Sequence, residues 1–266
     1  MQPGRQDQHS VEVGPIHVAP CRPTDRALQD QIIEFLTDAS ARSEASDPEF
    51  LDGNEVDRAE RFSRFLARRY YRDRLHRGFR YSTALLGSKA AAELVDTVKF
   101  DPILESCTLG SLATASMVGE LAVSEMRARG SDEWWNELLD YEFAFFMQLA
   151  TSERAPGSRF FRNAISTLIH EFQFAIPELL ESLKKAKVST NVVRKPTTLL
   201  FSRTHHGRIY VVELDATARA VVRAVNGSRH AAEIAECADL GQKETERILA
   251  DLVRISAVLP PSNEAA

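Results

Sequence analysis

The hydrophobic rhythm of this chain changes once, at Ala155-Pro156-Gly157, and that change bounds the folds open to it. Before it, apolar residues recur at three- and four-residue intervals, the period of a helix that buries one face. After it come short runs of β-formers and then short helical patterns. The expected fold class is therefore α+β: an N-terminal all-helical bundle followed by a small winged-helix-like domain with a three-stranded sheet and three helices.

Residues 1–25 hold four prolines and little periodicity, and read as a flexible lead-in with a short extended piece at Val11–Val18. Leu28, Ile32, Phe35 and Leu36 then repeat at helical spacing, with Thr24 or Asp25 as cap. Ser, Asp, Pro and Gly make residues 43–54 a loop. A long helix is expected over Glu55–Tyr81, with Phe62, Phe65, Leu66 and Tyr70 as its apolar stripe and Gly78 as a break. Further helices are expected at Ser88–Val98, Leu109–Met126 and Glu133–Ala150, so residues 26–154 form the bundle. Residues 155–187 read as a connector, with a strand at Ala164–Phe174 and a helix at Ile176–Lys187 that carries Pro177 in its first turn. Residues 188–260 form the second domain, and 261–266 a tail. Its strands are expected at Val188–Arg194, Thr198–Arg203 and Arg208–Leu214, the last two joined by the turn His205-His206-Gly207. Helices follow at Thr217–Val225, Ala231–Cys237 (capped by Ser228) and Gln242–Ile255, and Ala257–Leu259 returns as a short strand.

Composition excludes several classes. Hydrophobic residues at 44 % and charged residues at 27 % leave no room for wholesale disorder or low complexity. A net charge of −5 gives no general attraction to phosphate polymers or anionic membranes. Cys21, Cys107 and Cys237 form no CxxC pair and no zinc spacing, which fits a reducing, cytoplasmic setting. The first ten residues are polar, unlike a signal peptide, and no apolar stretch approaches the ~20 residues of a membrane helix.

Catalytic and metal constellations are thin. His205 and His206 are adjacent in a turn, where their side chains diverge, and read as solvated turn residues. His170 and Glu171 point to opposite faces of a strand. Cys107 precedes a helix that could acidify a thiol, but a plain buried cysteine is the simpler reading. Glu120, Glu125, Asp140 and Glu142 could converge between two helices, although no HxxE-type histidine accompanies them. GxSxG, P-loop, GxGxxG and HExxH motifs are absent. The sequence therefore reads as non-catalytic, with no metal site or cofactor of its own.

Charge is unevenly placed. Nine arginines fall between Arg58 and Arg80 against Glu60 and Asp73, and Arg61, Arg64, Arg68 and Arg72 share a helical face beside Tyr70 and Tyr71. Two readings stand. One is a solvated face with intramolecular partners. The other is a docking surface for an acidic protein more than for nucleic acid. Residues 188–266 carry 10 basic and 9 acidic groups, which lacks the footprint a duplex needs. What this domain offers is a short strand beside an amphipathic helix, an edge able to accept an extended peptide.

The stretch Leu214-Asp215-Ala216-Thr217-Ala218, with Asn226-Gly227-Ser228-Arg229 and Ala232-Glu233-Ile234-Ala235, resembles PqqD-like domains, the recognition elements for leader peptides of ribosomally made, modified peptides. Asp215 and Asn226 stand where Asn and Asp are commoner. Upstream, Arg72–Leu86, Trp134–Glu142 and Phe172–Leu180 resemble the HvfC/BufC-type partner proteins of multinuclear non-haem iron oxidative enzymes. The order of helical domain, strand, Ile-Pro-Glu-Leu-Leu helix and PqqD-like domain is similar to partner subunits of the 3-thiaglutamate type of pathway, where a C-terminal Cys is modified. The resemblance implies a cytoplasmic, hetero-oligomeric adaptor that is not itself an enzyme, with the iron in the partner enzyme. It implies a leader peptide along Arg208, Ile209, Tyr210, Val211, Val212 and Glu213, facing Ile248 and Leu252. Arg61, Arg64, Arg68, Arg72 and Tyr71 are the expected surface for the iron enzyme. The alternatives are a winged-helix transcription regulator with a helical sensing domain, and a helical metalloenzyme.

Overall fold

The computed structural model describes residues 30, 33–38, 40–41, 53–86, 90–130, 132–152, 158–185 and 192–261. The readings of residues 1–25, of the 43–54 loop up to residue 52, of 188–191 and of the tail beyond 261 lie outside the described residues. The chain is mixed: helical in its N-terminal part, with a small three-stranded sheet toward the C-terminus. Among the described residues, no helix is long and apolar enough to cross a membrane.

The bundle is built from α1 (Gly53–Gly78), α2 (Arg80–Leu86), α3 (Ala90–Leu94), α4 (Asp101–Glu105), α5 (Leu112–Arg127) and α6 (Glu133–Ala150). Helix α1 buries Ser63, Ala67, Tyr71 and Leu75, each four residues from the last, and Phe79 continues the row. This corrects the expected stripe: Phe62 and Phe65 lie on the opposite side, half exposed. The small Ser63 and Ala67 let α1 approach its neighbours, so burial follows the row that packs closely and not the bulkiest side chains. Gly78 serves the same purpose, since a Cβ there would stand 2.7 Å from the Cβ of Phe146 on α6. Helix α5 is capped by Ser111, whose side chain accepts from Thr114 N–H. Helix α6 buries Trp135, Leu138, Leu139, Tyr141, Phe146 and Met147 around most of its girth, as a helix enclosed on several sides must.

The sheet joins this bundle to the C-terminal helices. Its order is β2 (Leu168–Phe174), β3 (Arg194–Arg203), β4 (Ile209–Glu213), all antiparallel. Two expectations change here. Val188–Arg194 and Thr198–Arg203 do not supply two strands: the described part is one strand beginning at Arg194. The third strand is β2, from the segment read as a connector. Lys195-Pro196, between the two expected strands, lies inside β3. The β2–β3 ladder shifts register between Phe172 and Phe174, and Pro196 falls at that irregularity, where a missing N–H costs little.

Strand β3 is covered on both faces. Leu199 and Phe201 enter the bundle core, while Leu200 enters a second core with Val221, Val222, Ile234, Ile248, Leu249 and Leu252. Between β2 and β3 runs α7 (Ile176–Lys184), with Pro177 in its first turn. After β4 come α8 (Ala216–Ala224), α9 (Ala231–Ala238) and α10 (Gln242–Arg254). Asp215 caps α8 by accepting from Ala218 N–H at 2.7 Å. Ser228 does not cap α9, because Asn226 Oδ1 accepts both its N–H and its hydroxyl. Glu233 closes that helix start by accepting from His230 N–H at 2.7 Å. Finally β5 (Val258–Leu259) pairs antiparallel with β1 (Arg162–Asn163).

Candidate peptide-binding groove

The sheet has two edges, and they are treated differently. At the β2 edge, the Glu137 carboxylate accepts from the N–H groups of Gln173 and Phe174 at 2.8–2.9 Å. A charge placed there blocks pairing with another strand. Among the described residues, no strand pairs with the far side of β4. The backbone bonds at its two ends give the phase of that edge. Leu214 N–H donates to Thr198 C=O, and Arg208 C=O accepts from Thr204 N–H, so even-numbered residues bond inward. With the period of two, Ile209, Val211 and Glu213 turn their N–H and C=O groups outward.

The pleat also sorts the side chains. Val211 packs with the bundle core and Leu214 with the C-terminal core, so Ile209, Val211 and Glu213 face one way and Arg208, Tyr210, Val212 and Leu214 the other. The six residues expected as one peptide-contacting run thus divide. One set offers backbone bonds, and Tyr210 and Val212 offer side chains. Arg208 stacks on Tyr210, 4.9 Å from guanidinium carbon to ring centre.

On that second face lies a groove of about 330 Å³ between β4 and α10. Ile248 and Leu252 line it with Val212, Glu213 and Leu214, so the structure brings these expected site residues together. Arg208, Ile209, Tyr210 and Val211 continue the same strand but do not line the groove. Sequence reasoning missed Glu244, Arg247, Asp251 and Arg254, which line it from α10, and Ile255 just past the helix end. Their signal was the helical interval counted outward from Ile248 and Leu252.

The arginine face of α1 is largely engaged within the chain. Arg64 pairs with Glu105 at 3.2 Å, and Arg68 and Arg72 pair with Asp101 and Asp96. Arg61 Nε donates to Asp57 C=O at 3.1 Å. Tyr71, expected as an exposed aromatic, is fully buried, and burial pushes its phenol well above the usual range. It is not a surface residue, because its place in the close-packed row turns it inward. The outer face of α1 instead presents Phe62 and Phe65, stacked with ring centres 6.2 Å apart. Arg58 and Arg69 flank them on the same face and have no ion pair among the described residues.

The four carboxylates between α5 and α6 do not form one cluster. Glu125 pairs with Lys99, Asp140 pairs with Arg127 and Glu120 accepts from Ser116. Glu142 points away into the core. It accepts from the N–H groups of Tyr81 at 2.5 Å and Ser82 at 3.2 Å, at the start of α2. Burial raises its pKa to about 7, against the lowering effect of those N–H donors. The rings of His205 and His206 do not diverge as expected: their centres lie 3.6 Å apart, because the turn brings them side by side. Cys107 is buried. Among the described residues, no three His, Cys, Asp or Glu side chains gather as metal ligands would.

Comparison of the chain with protein-family models and with curated protein sequences finds no match.

Proposed function

We propose that this chain is a non-catalytic partner subunit in the biosynthesis of a ribosomally made, modified peptide. Residues 192–259 act with β2 as a winged-helix-like, PqqD-type recognition element. The leader of the precursor peptide adds as a fourth strand to β4 and sets its side chains against α10. The outer face of α1 docks on a multinuclear non-haem iron oxidase, which holds the metal and performs the oxidation. The division of labour places substrate capture here and bond-making in the other chain.

The observation that carries this reading is the β4 edge. Three outward-turned backbone positions lie along the strand that flanks a groove with an apolar middle of Val212, Ile248 and Leu252, while the opposite edge is closed by Glu137. Main-chain bonds supply affinity along such an edge, and the groove supplies selectivity.

Co-expression with a neighbouring iron enzyme and its precursor peptide tests it. The expected result is a complex of all three, in which Val212→Glu loses the peptide but keeps the enzyme. If neither protein nor peptide copurifies with the chain, the proposal fails.

A further inference from the structure

The groove beside β4 has two electrically different ends. Ser202 Oγ donates to Ile255 C=O at 2.9 Å, and Ser202 is the register partner of Tyr210. The C-terminal end of α10 therefore stands near Tyr210, and α10 runs against β4 toward Asp215. The eleven residue steps from Glu244 to Ile255 rise about 16 Å along the helix, and the five steps from Tyr210 to Asp215 about 17 Å along the strand, so the two sides match in length.

At the Asp215 end, Asp215 and Glu244 border the groove, with Arg247 as the cation beside them. At the Tyr210 end are Arg208, held over the Tyr210 ring, and Arg254, with Asp251 as its counter-charge at 3.0 Å. Between the ends lie Val212, Ile248 and Leu252. One end is thus net acidic and the other net basic, with an apolar middle.

We infer that the groove reads the order of charges in its guest: an extended peptide antiparallel to β4 carrying a basic side chain at position i, an apolar one at i+2 and an acidic one at i+4. This rests on the peptide-holding role proposed above. The spacing follows from the pleat. Guest residues opposite Leu214, Val212 and Tyr210 share the groove face and are two apart. Antiparallel pairing places the guest's N-terminal side at the Asp215 end. There a Lys or Arg meets Asp215 and Glu244, and a Glu or Asp four residues later meets Arg208 and Arg254. A guest with the charges reversed would set like charges together at both ends, which is how an interface rejects the wrong register.

The test uses the full chain and a displayed library of random dodecapeptides, with the Val212→Glu variant as the control. Val212 is partly exposed, so this variant keeps the fold. The strongest groove-dependent peptide is then synthesised together with an isomer in which its basic and acidic residues are exchanged, and both are measured by fluorescence anisotropy. Enriched peptides are expected to show the basic–x–apolar–x–acidic order. The exchanged isomer should bind at least about fivefold more weakly near 0.02 M salt, with the gap closing near 0.5 M as the charges are screened. A Glu244→Lys, Arg254→Glu double variant should reverse the preference. Equal or tighter binding of the exchanged isomer at low salt overturns the charge-order inference and leaves peptide holding intact. If no peptide binds the native chain more tightly than the Val212→Glu control, peptide holding falls as well.

Discussion

Leu200 and Phe201 are consecutive on β3 yet belong to different cores: Leu200 packs with α8–α10, and Phe201 packs in the bundle, its ring 5.4 Å from that of Tyr141. Both are fully buried. One strand thus carries the packing of both halves, so loss of either core withdraws a face from the other. Phe201→Ala is expected to cost about 3–5 kcal/mol and Leu200→Ala about 2–5 kcal/mol. Both should lower the midpoint of a single transition. The check is denaturant unfolding followed by far-UV circular dichroism and by Trp134 and Trp135 fluorescence, both tryptophans lying in the bundle. A Leu200→Ala protein whose tryptophan transition stays at the wild-type midpoint would show that the halves unfold separately.

The same shared strand explains what the sequence conceals. Period and caps place α5, α6, α7 and the three C-terminal helices within a few residues, because those signals are local. The pairing of β2 with β3 is not local. Leu168 and its register partner Phe201 stand 33 positions apart, and nothing near Leu168 announces that partner. The α1 face fails for a related reason: hydrophobicity favours Phe62 and Phe65, whereas burial goes to Ser63 and Ala67, whose value lies in the closeness they allow. In the groove, Ile248 and Leu252 were legible as the inward residues of an amphipathic helix. The charges at its two ends were not, since they depend on the antiparallel course of α10 over β4.

Glu142 should make stability pH-dependent. Burial raises its carboxyl to about 7 in the folded chain, against an ordinary value of 4.5. The native state then binds more protons than the unfolded state between those values. The stabilisation is fully present below about pH 4.5 and is lost as pH rises through about 7. The difference corresponds to a contribution on the order of 3 kcal/mol. Glu142→Gln should remove this slope, with Gln Oε1 still able to accept from Tyr81 N–H. Denaturant unfolding at about pH 5 and pH 8 reads it out: the variant gains on the wild type at the higher pH. A wild-type-minus-variant difference that does not change with pH would refute the assignment.

The outer face of α1 gives a prediction that separates docking from stability. Phe62 and Phe65 are half exposed, so Phe62→Asp with Phe65→Asp should change stability by less than about 1 kcal/mol. The pair should nevertheless abolish copurification of the iron enzyme, since exposed aromatics flanked by arginines are the kind of residue on which interfaces depend. Reversal of Arg68 and Arg72 to Glu acts differently. It breaks their contacts with Asp101 and Asp96 and sets like charges together, so it should lower thermal stability. Pull-down yields and melting temperatures, measured on the same preparations, distinguish the two. Retention of the enzyme by the double Asp variant would move the docking surface elsewhere.

The alternation along β4 should be directly visible in hydrogen exchange. The N–H groups of Tyr210, Val212 and Leu214 turn toward β3, and Leu214 N–H bonds Thr198 C=O at 2.8 Å. They should exchange only when the sheet opens. Those of Ile209, Val211 and Glu213 turn outward and should exchange close to the rate of an unstructured chain. Residue-resolved exchange by NMR would then show slow and fast amides in strict alternation. A peptide selected on the groove should slow the three fast amides and leave the other three unchanged, because an added strand bonds only to outward-turned groups. Protection of Val211 in the chain alone would mean that the edge is already occupied. Unchanged exchange at Val211 in the complex would mean that the guest is held by α10 without strand pairing, and would exclude the fourth-strand geometry.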